Sequence, residues 1–258
     1  MKHAFSLVEL SIVLVILGLL TGGILTGQNL IRAVELRSVT TEFQVYQTAI
    51  NTFRNKYFSL PGDMTNATDF WGDNATHCAD AAVADGTPGT CNGDGNGILD
   101  GTGALADGTY EWSQAWNQLA LAGLIEGSYT GVMAGDWTIG EEAPKSRISS
   151  LTWWFRGAPA TYGVALLETN MLTVSSLRSG YSPIVAGGGG LTSEEAWNID
   201  TKMDDVLADS GRVLGVRDSS ASVRDVANAC VTNKWDQPTS AYVLTDTDTN
   251  CRLMFVLR

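Results

Sequence analysis

The sequence predicts an α+β fold, in which a long N-terminal α-helical spine carries an antiparallel-sheet globular head with extra helices and loops. Two observations predict it. An apolar run beginning at residue 5 continues as an amphipathic helical pattern to residue 57. Short β-branched and aromatic runs, separated by glycine-rich loops and two helical patterns, then occupy the rest of the 258 residues.

The first half of the predicted helix is apolar on every side. Between Phe5 and Gln28 the only charged residue is Glu9, and the stretch consists mostly of Leu, Ile and Val. These side chains favour insertion into a membrane by about 4–8 kcal/mol. A carboxylate opposes insertion by about 3 kcal/mol at most. The run therefore remains long and apolar enough to span a bilayer.

Two ordinary interpretations of this run compete with a functional one. A secretory signal peptide has a shorter apolar core, carries no carboxylate within it and ends at a small-residue cut site. A plain membrane anchor explains everything except Glu9. An ionisable residue inside a membrane segment indicates a function and needs a partner.

The second half of the helix is apolar on one side only. Its apolar residues recur at alternating steps of three and four, which predicts one stripe that packs against the head: Leu36, Val39, Phe43, Tyr46, Ile50, Phe53 and Tyr57. No Pro or Gly interrupts the pattern before the turn signal Leu60-Pro61-Gly62-Asp63. A helix of this extent is about 80 Å long.

The segment from Ala4 to Leu20, AFSLVELSIVLVILGLL, resembles the N-terminal cleavage and methylation motif of type IV pilin-like proteins. This family includes type IV pilins and type II secretion pseudopilins. The resemblance implies that a prepilin peptidase cuts between Ala4 and Phe5 and methylates the new amine. Ala4 stands where the family usually has Gly. The resemblance also implies that Glu9 of one subunit neutralises the Phe5 amine of a neighbour, since both charges are costly in lipid.

The resemblance implies four parts of the chain: a leader (1–4), the transmembrane or filament-core half of the helix (5–27), its amphipathic half (28–58) and the globular head (59–258). It implies a single pass through a bacterial inner membrane, with the head in the periplasm and later in a periplasmic or extracellular filament. The implied partners are the prepilin peptidase, other pilin or pseudopilin subunits, an inner-membrane assembly platform with its ATPase, and membrane lipid.

Four cysteines, Cys78, Cys91, Cys230 and Cys251, lie in the head, and none forms a C-x-x-C pair. A zinc knuckle is therefore not indicated. The pairs that are near in sequence, Cys78–Cys91 and Cys230–Cys251, are the predicted disulfides, provided that the head enters an oxidising compartment. Free thiols are the alternative, and the connectivity stays open.

One glycine-rich stretch, Asn92-Gly93-Asp94-Gly95-Asn96-Gly97-Ile98-Leu99-Asp100, matches the first part of an EF-hand-like calcium loop. The predicted ligands are side-chain oxygens and one backbone carbonyl, from Asn92, Asp94, Asn96, Ile98 (carbonyl) and Asp100. Gly103 stands where the motif has a bidentate Glu, so Asp107 or Glu111 would substitute. The alternative is a Gly/Asn/Asp turn without an ion. Calcium is the one cofactor that the sequence suggests.

The head also shows helix and strand signals. Residues 111–125 have a helical apolar face, and Thr192 with Glu195 forms a capping box for a second helix ending near Gly211. Asp200, Asp204 and Asp205 lie beside that helix as a solvated face or, alternatively, a second cation site. The predicted strands are rich in β-branched and aromatic residues: 148–155, 162–167, and a closing hairpin of 242–244 with 251–257.

The predicted function is a structural filament subunit, and the alternative is a minor tip subunit whose head binds a ligand, surface or secreted substrate. No catalytic residues are predicted, because G-x-S-x-G, Walker and H-E-x-x-H motifs are all missing from the sequence. The formal net charge of −12 argues against a nucleic-acid partner.

Overall fold

The computed structural model describes residues 7–73, 89–99, 111–131, 139–156, 170–176, 188–217, 230–232 and 240–257. Its helices are α1 (Leu7–Tyr57), α2 (Thr68–Trp71), α3 (Glu111–Leu121) and α4 (Ser193–Met203). Its strands are β1 (Leu151–Arg156), β2 (Met171–Ser176), β3 (Val213–Arg217) and β4 (Cys251–Val256). A long N-terminal helix and a separate four-stranded antiparallel sheet confirm the predicted α+β class.

Helix α1 is continuous over 51 residues, as the uninterrupted pattern predicted. The predicted stripe packs against the head: Val39, Phe43, Ile50 and Phe53 are buried, and Leu36, Tyr46 and Tyr57 are partly buried against the same core. The helix ends at Tyr57, and Phe58 follows in the left-handed region with φ of 57°. The Pro-Gly turn then directs the chain into the head.

The sheet has the strand order β1-β2-β4-β3, and every pair is antiparallel. Strand β4 occupies a central position, because β2 pairs with one of its edges and β3 with the other. Its alternate residues Cys251, Leu253 and Phe255 join the main core. Met254 and Val256 belong to a second, smaller cluster with residues of β2 and β3.

The predicted hairpin between residues 242–244 and 251–257 is wrong. Both edges of β4 are already paired with β2 and β3, so no edge remains for a strand at 242–244. Tyr242 instead forms an isolated bridge with Val231, and its hydroxyl donates to Asp200 at 3.0 Å. The predicted strand at 162–167 lies outside the described residues.

Aromatic side chains fill the space between α1, α3 and the sheet. Phe43 stacks on Phe255 with ring centroids 4.5 Å apart, and Trp116 contacts Phe155 at 4.4 Å. A charged group reinforces this packing, because Glu42 of α1 accepts a bond from Trp153 Nε1 at 2.6 Å. The amphipathic half of α1 is therefore an integral part of the core of the head.

The two head helices begin where the sequence predicted, but each ends earlier than predicted. Helix α3 ends at Leu121, four residues before the predicted end. The capping box of α4 is present: Glu195 N donates to Thr192 Oγ1 at 3.2 Å, and Thr192 N donates to Glu195 Oε2 at 2.9 Å. Helix α4 ends at Met203, because Asp204 leaves the helical conformation with φ of −151° and ψ of −141°.

Candidate functional site

The apolar half of α1 presents an exposed surface. Residues 7–26 are all exposed, and their large side chains are Leu, Ile and Val. Among the described residues, α1 is the one helix long and apolar enough to cross a membrane, and its most apolar part is not buried anywhere in the head. An apolar surface of this length needs lipid or other helices to cover it in water.

The polar side chains of this half form local hydrogen bonds. Ser11 Oγ donates to the carbonyl of Val8, and Thr21 Oγ1 to that of Leu17, each at 2.9 Å. Hydroxyl groups that bond to the preceding turn of their own helix need no water. Their presence therefore does not oppose burial of this half in lipid or in a bundle.

Glu9 lies in the first turn of α1 and is exposed among apolar side chains. It is the only charged residue between residues 7 and 31. A carboxylate near a helix N-terminus is favoured by the helix dipole, which here adds to the attraction of any nearby cation. The predicted processing residues Ala4 and Phe5 lie outside the described residues, so the cleavage site remains a prediction.

Arg32, near the start of the amphipathic half of α1, bonds to the head. Its Nε and one terminal nitrogen bond both carboxylate oxygens of Glu195, at 2.5 and 2.9 Å. Burial alone would raise the pKa of Glu195, but the bonds from Arg32 and Thr192 outweigh it and lower that pKa. This two-pronged pair fixes the start of α4 beside α1 more firmly than a single point contact would.

Three carboxylates from separate segments meet beside the turn that follows α1. One oxygen of each of Asp63, Asp94 and Glu111 lies within 4.8 Å of the others. Asp63 is 3% exposed and Glu111, the first residue of α3, is completely buried, whereas Asp94 is exposed. Burial raises the pKa of Asp63, and the backbone amides of Gly97, Gly95 and Asn96 lower it only in part.

Close backbone approach holds this turn in place. A Cβ on Gly62 would lie 2.1 Å from the carbonyl oxygen of Glu111, so no larger residue fits there. Gly62 N donates to Gln118 Oε1 of α3 at 2.6 Å, and Gln118 Nε2 donates to the carbonyl of Cys91 at 3.1 Å. The polar face of α3 thus positions the turn and the 91–98 loop together.

The loop predicted to bind calcium uses several of its oxygens internally. Asn92 Oδ1 accepts from Thr68 N at 2.9 Å, and Asn96 Oδ1 accepts from Ile98 N at 2.6 Å. Asp94 Oδ1 accepts from Asn96 N at 2.9 Å. The predicted ligand Asp100 and the substitute Asp107 lie outside the described residues. The five-residue ligand set therefore remains a prediction, but the loop does bring Asp94 to Asp63 and Glu111.

A second acidic cluster follows α4. One oxygen of each of Asp200, Asp204 and Asp205 lies within 4.8 Å of the others. Asp204 Oδ2 accepts from Arg212 N and Val213 N. Asp205 accepts from Leu207 N at 2.9 Å. Two of the three carboxylates therefore bond backbone amides near the turn into β3. Asp205 is exposed and Asp204 is half-buried, as on a solvated face, whereas Asp200 is buried.

Asp200 is fully buried at the centre of this second cluster. The pKa of Asp200 is raised to about 6. Burial is the largest cause, and the nearby carboxylates of Asp205 and Asp204 also raise it, whereas the bond from the Tyr242 hydroxyl lowers it in part. Because the folded pKa exceeds the unfolded value of 3.8, folded chains bind the proton first as pH falls. Stability should therefore rise between pH 7 and about pH 4 through this group.

We expect Asp200→Asn to stabilise the full chain at pH 7.5 by about 1–2 kcal/mol, because the substitution removes a buried charge and keeps an acceptor for Tyr242. The advantage over wild type should shrink as pH falls below about 6 and be lost by about pH 4. Melting temperatures of variant and wild type in detergent with EDTA, taken across this pH range, measure the stabilisation and its pH dependence. Asp248→Asn, an exposed acid in another turn, should show no such pH dependence. A stability difference that is constant with pH would contradict the raised pKa.

One member of the first cluster was missed from the sequence. Asp63 follows a Pro-Gly pair and reads there only as the end of a turn. Glu111 was weighed solely as a distant substitute ligand. The only signal in the sequence was an Asp after a Pro-Gly pair. Such a residue is usually an exposed turn acid, and the sequence does not show that Asp63 is buried.

The three cysteines that the structure describes are oxidised. Cys230 and Cys251 form a disulfide, which confirms one predicted pair. Cys91 is also disulfide-bonded. Its predicted partner Cys78 lies outside the described residues, so that pairing remains a prediction.

No protein-family model, no curated protein and no solved structure matches this chain.

Proposed function

We propose that this chain is a structural filament subunit of the type IV pilin-like class, a prepilin or pseudopilin. In this proposal the peptidase removes residues 1–4 and methylates Phe5, and the head lies on the periplasmic side of a bacterial inner membrane. Subunits then leave the bilayer as they join a periplasmic or extracellular filament. The prepilin peptidase, the assembly platform with its ATPase, and other subunits are the proposed partners.

One observation carries the proposal: a single unbroken helix is exposed throughout residues 7–26, where Glu9 is the only charged residue, and is buried in the head along one stripe from residue 38 onward. A plain anchor needs no rigid connection between its span and its head. A filament subunit does, because the apolar halves must pack in register while the heads keep fixed positions outside. The Arg32–Glu195 pair lies at the junction and supports the same rigid connection.

Glu9 supports assembly rather than simple anchoring. In lipid, an ionised carboxylate and the free amine created by cleavage are each unfavourable, and each neutralises the other across a subunit contact. Gly18 and Gly22 lie one turn apart with open space where a side chain would be. Small residues at this spacing let helix backbones approach closely. Together these features favour helix–helix packing with one defined register.

A minor tip subunit of the same filament class is the second candidate. It rests on the head, which spans residues 59–258 and is large for a part that only coats a filament. In this case the head would bind a ligand, a surface or a secreted substrate.

Immunogold electron microscopy of filaments sheared from the native cells tests the proposal, with an antibody raised against the head. Labels along the filament length would support the structural subunit. Labels confined to the ends would support the tip subunit instead. If the chain stays entirely in the membrane fraction while filaments are present without label, the filament proposal is wrong and a plain anchored head is the better account.

A further inference from the structure

Asp63 has a carboxylate oxygen for which the fold provides no bond. Its Oδ2 accepts from Gly97 N at 3.0 Å, but its Oδ1 is buried and has no hydrogen-bond partner. Only 3% of the residue is exposed. A buried carboxylate oxygen without a donor is unfavourable, and in native proteins it usually indicates a missing partner such as a water or an ion.

Two other carboxylates lie close to the Asp63 side chain. The Asp94 and Glu111 oxygens lie within 4.8 Å of an Asp63 oxygen. Their own bonds orient them: Asp94 N donates to Glu111 Oε1 at 2.8 Å, and Asn96 Nδ2 donates to Asp94 Oδ2 at 2.9 Å. A carboxylate oxygen has two lone pairs, so it can accept a hydrogen bond and still bind a cation.

The spacing suits a single ion. Ca²⁺ holds oxygens at about 2.3–2.6 Å in flexible geometry, so two of its ligands are at most about 5 Å apart. Three carboxylate oxygens within 4.8 Å of one another can therefore share one Ca²⁺. Mg²⁺ requires a smaller and near-octahedral shell, which ligands from three separate segments satisfy less readily. The exclusively oxygen-bearing set does not favour zinc or copper.

The site is open to solvent on one side. Asp94 is exposed, and a cavity of about 990 Å³ next to α1 reaches Asp63, Gly95 and Gly97. Arg54 also lines this cavity, yet Asp63 Oδ1 forms no ion pair with it. A cation would therefore approach the cluster from the side of the exposed Asp94.

We propose that Asp63, Asp94 and Glu111 bind one Ca²⁺, which joins the turn after α1 to the 92–98 loop and to the first residue of α3. This ligand set differs from the EF-hand-like set predicted from the sequence, with which it shares Asp94 and the substitute ligand Glu111. Two of its three members come from outside the glycine-rich loop. Binding at this site is independent of filament formation, so it stands or falls separately from the proposed function.

The test uses the full chain in detergent, stripped with EDTA and then titrated with CaCl₂ by calorimetry. We expect one Ca²⁺ per chain with Kd of about 1 mM or tighter, as in extracellular calcium modules. At about 100 times Kd, CaCl₂ should raise the melting temperature by about 5–10 °C. MgCl₂ at the same concentration should give a clearly smaller shift.

Two variants assign the response to this site. Asp94→Asn changes an exposed residue, so it should fold and bind Ca²⁺ at least about tenfold more weakly, because one ligand charge is lost. Asp63→Asn should be at least as stable as wild type in EDTA, because one of three adjacent like charges has been removed. It should not respond to CaCl₂, because a ligand charge is lost. Asp248→Asn, with the same change of charge at an exposed turn, should respond as wild type does.

Three results would overturn the proposal. The first is no heat and no melting shift up to about ten times the expected Kd, that is, about 10 mM CaCl₂. The second is an equal response to MgCl₂ or to NaCl of matched ionic strength. The third is a response that persists unchanged in Asp94→Asn, or one that is lost in Asp200→Asn, which would place any bound ion in the other acidic cluster.

Discussion

Replacing Glu9 by Gln is expected to abolish filament assembly while leaving the chain folded and inserted in the membrane. The substitution keeps the size of the side chain and removes its charge. If the Glu9 carboxylate neutralises the Phe5 amine of a neighbouring subunit, the variant leaves that amine without its counter-charge in an apolar environment. Breaking a buried ion pair on one side costs about 3–5 kcal/mol. A loss of this size lowers the association constant at least about a hundredfold.

The measurement is the ratio of chain released by shearing to chain retained in membranes, compared by immunoblot between variant and wild type. Glu126→Gln is the matched control, because Glu126 is exposed in the head and loses the same charge. That control should assemble normally. Wild-type amounts of sheared filament from Glu9→Gln would show that the charge at this position has no role in assembly.

Removing the Cys230–Cys251 disulfide is expected to destabilise the head by about 3 kcal/mol. The sequence separation is 21 residues, and cross-links across loops of this length mainly restrict the unfolded chain. The bond joins the first residue of the central strand β4 to a residue whose carbonyl accepts from Ser193 Oγ, at 3.1 Å, at the start of α4. Its loss should therefore loosen the contact of α4 with the sheet before the contact of α1 with α3.

The double variant Cys230→Ala/Cys251→Ala tests this by urea denaturation of the full chain in detergent. Hydrogen exchange should show the largest loss of protection near the start of α4. Ser193→Ala is the local control: it removes one hydrogen bond at the same place and should cost only about 1 kcal/mol. A double variant no less stable than Ser193→Ala would mean that the cross-link contributes little.

The elements that the sequence predicted well are those whose signal is local. The stripe on α1 repeats over 22 residues (36–57) without a breaker, and the capping box at Thr192 and Glu195 satisfies its own backbone donors. Strand β1 contains Trp153 and Trp154 within a β-branched and aromatic run. None of these three signals depends on which other segment of the chain packs against the element.

Strands β2 and β3 had no comparable signal. Residues 171–176 include two serines, and β3 has a glycine at its centre, which normally weakens a strand. The structure supplies the reason for Gly215: a Cβ there would lie 2.4 Å from the ring of Tyr242. Strand β3 therefore forms because of tertiary packing and not because of local propensity. The hairpin at 242–244 was predicted wrongly for the same reason, since the sequence does not show which strands pair with β4.

The acidic sites show the same division. Asp94 was found because oxygen-bearing residues alternate with glycine along one short loop. Asp63 and Glu111 join it only through folding, since they lie 31 residues before and 17 residues after it in the sequence. A sequence pattern detects ligands that are consecutive, whereas a site assembled from three segments needs the structure.

The most direct test of the central claim is the intact mass and N-terminal fragmentation of the protein taken from its native membrane. The account predicts a chain that begins at N-methylated Phe5, without residues 1–4. A chain that keeps Met1 to Ala4 ahead of an unmodified Phe5 would contradict it. The peptidase would then not act at this site, the amine that Glu9 is proposed to neutralise would not exist, and the long helix would be only a membrane anchor.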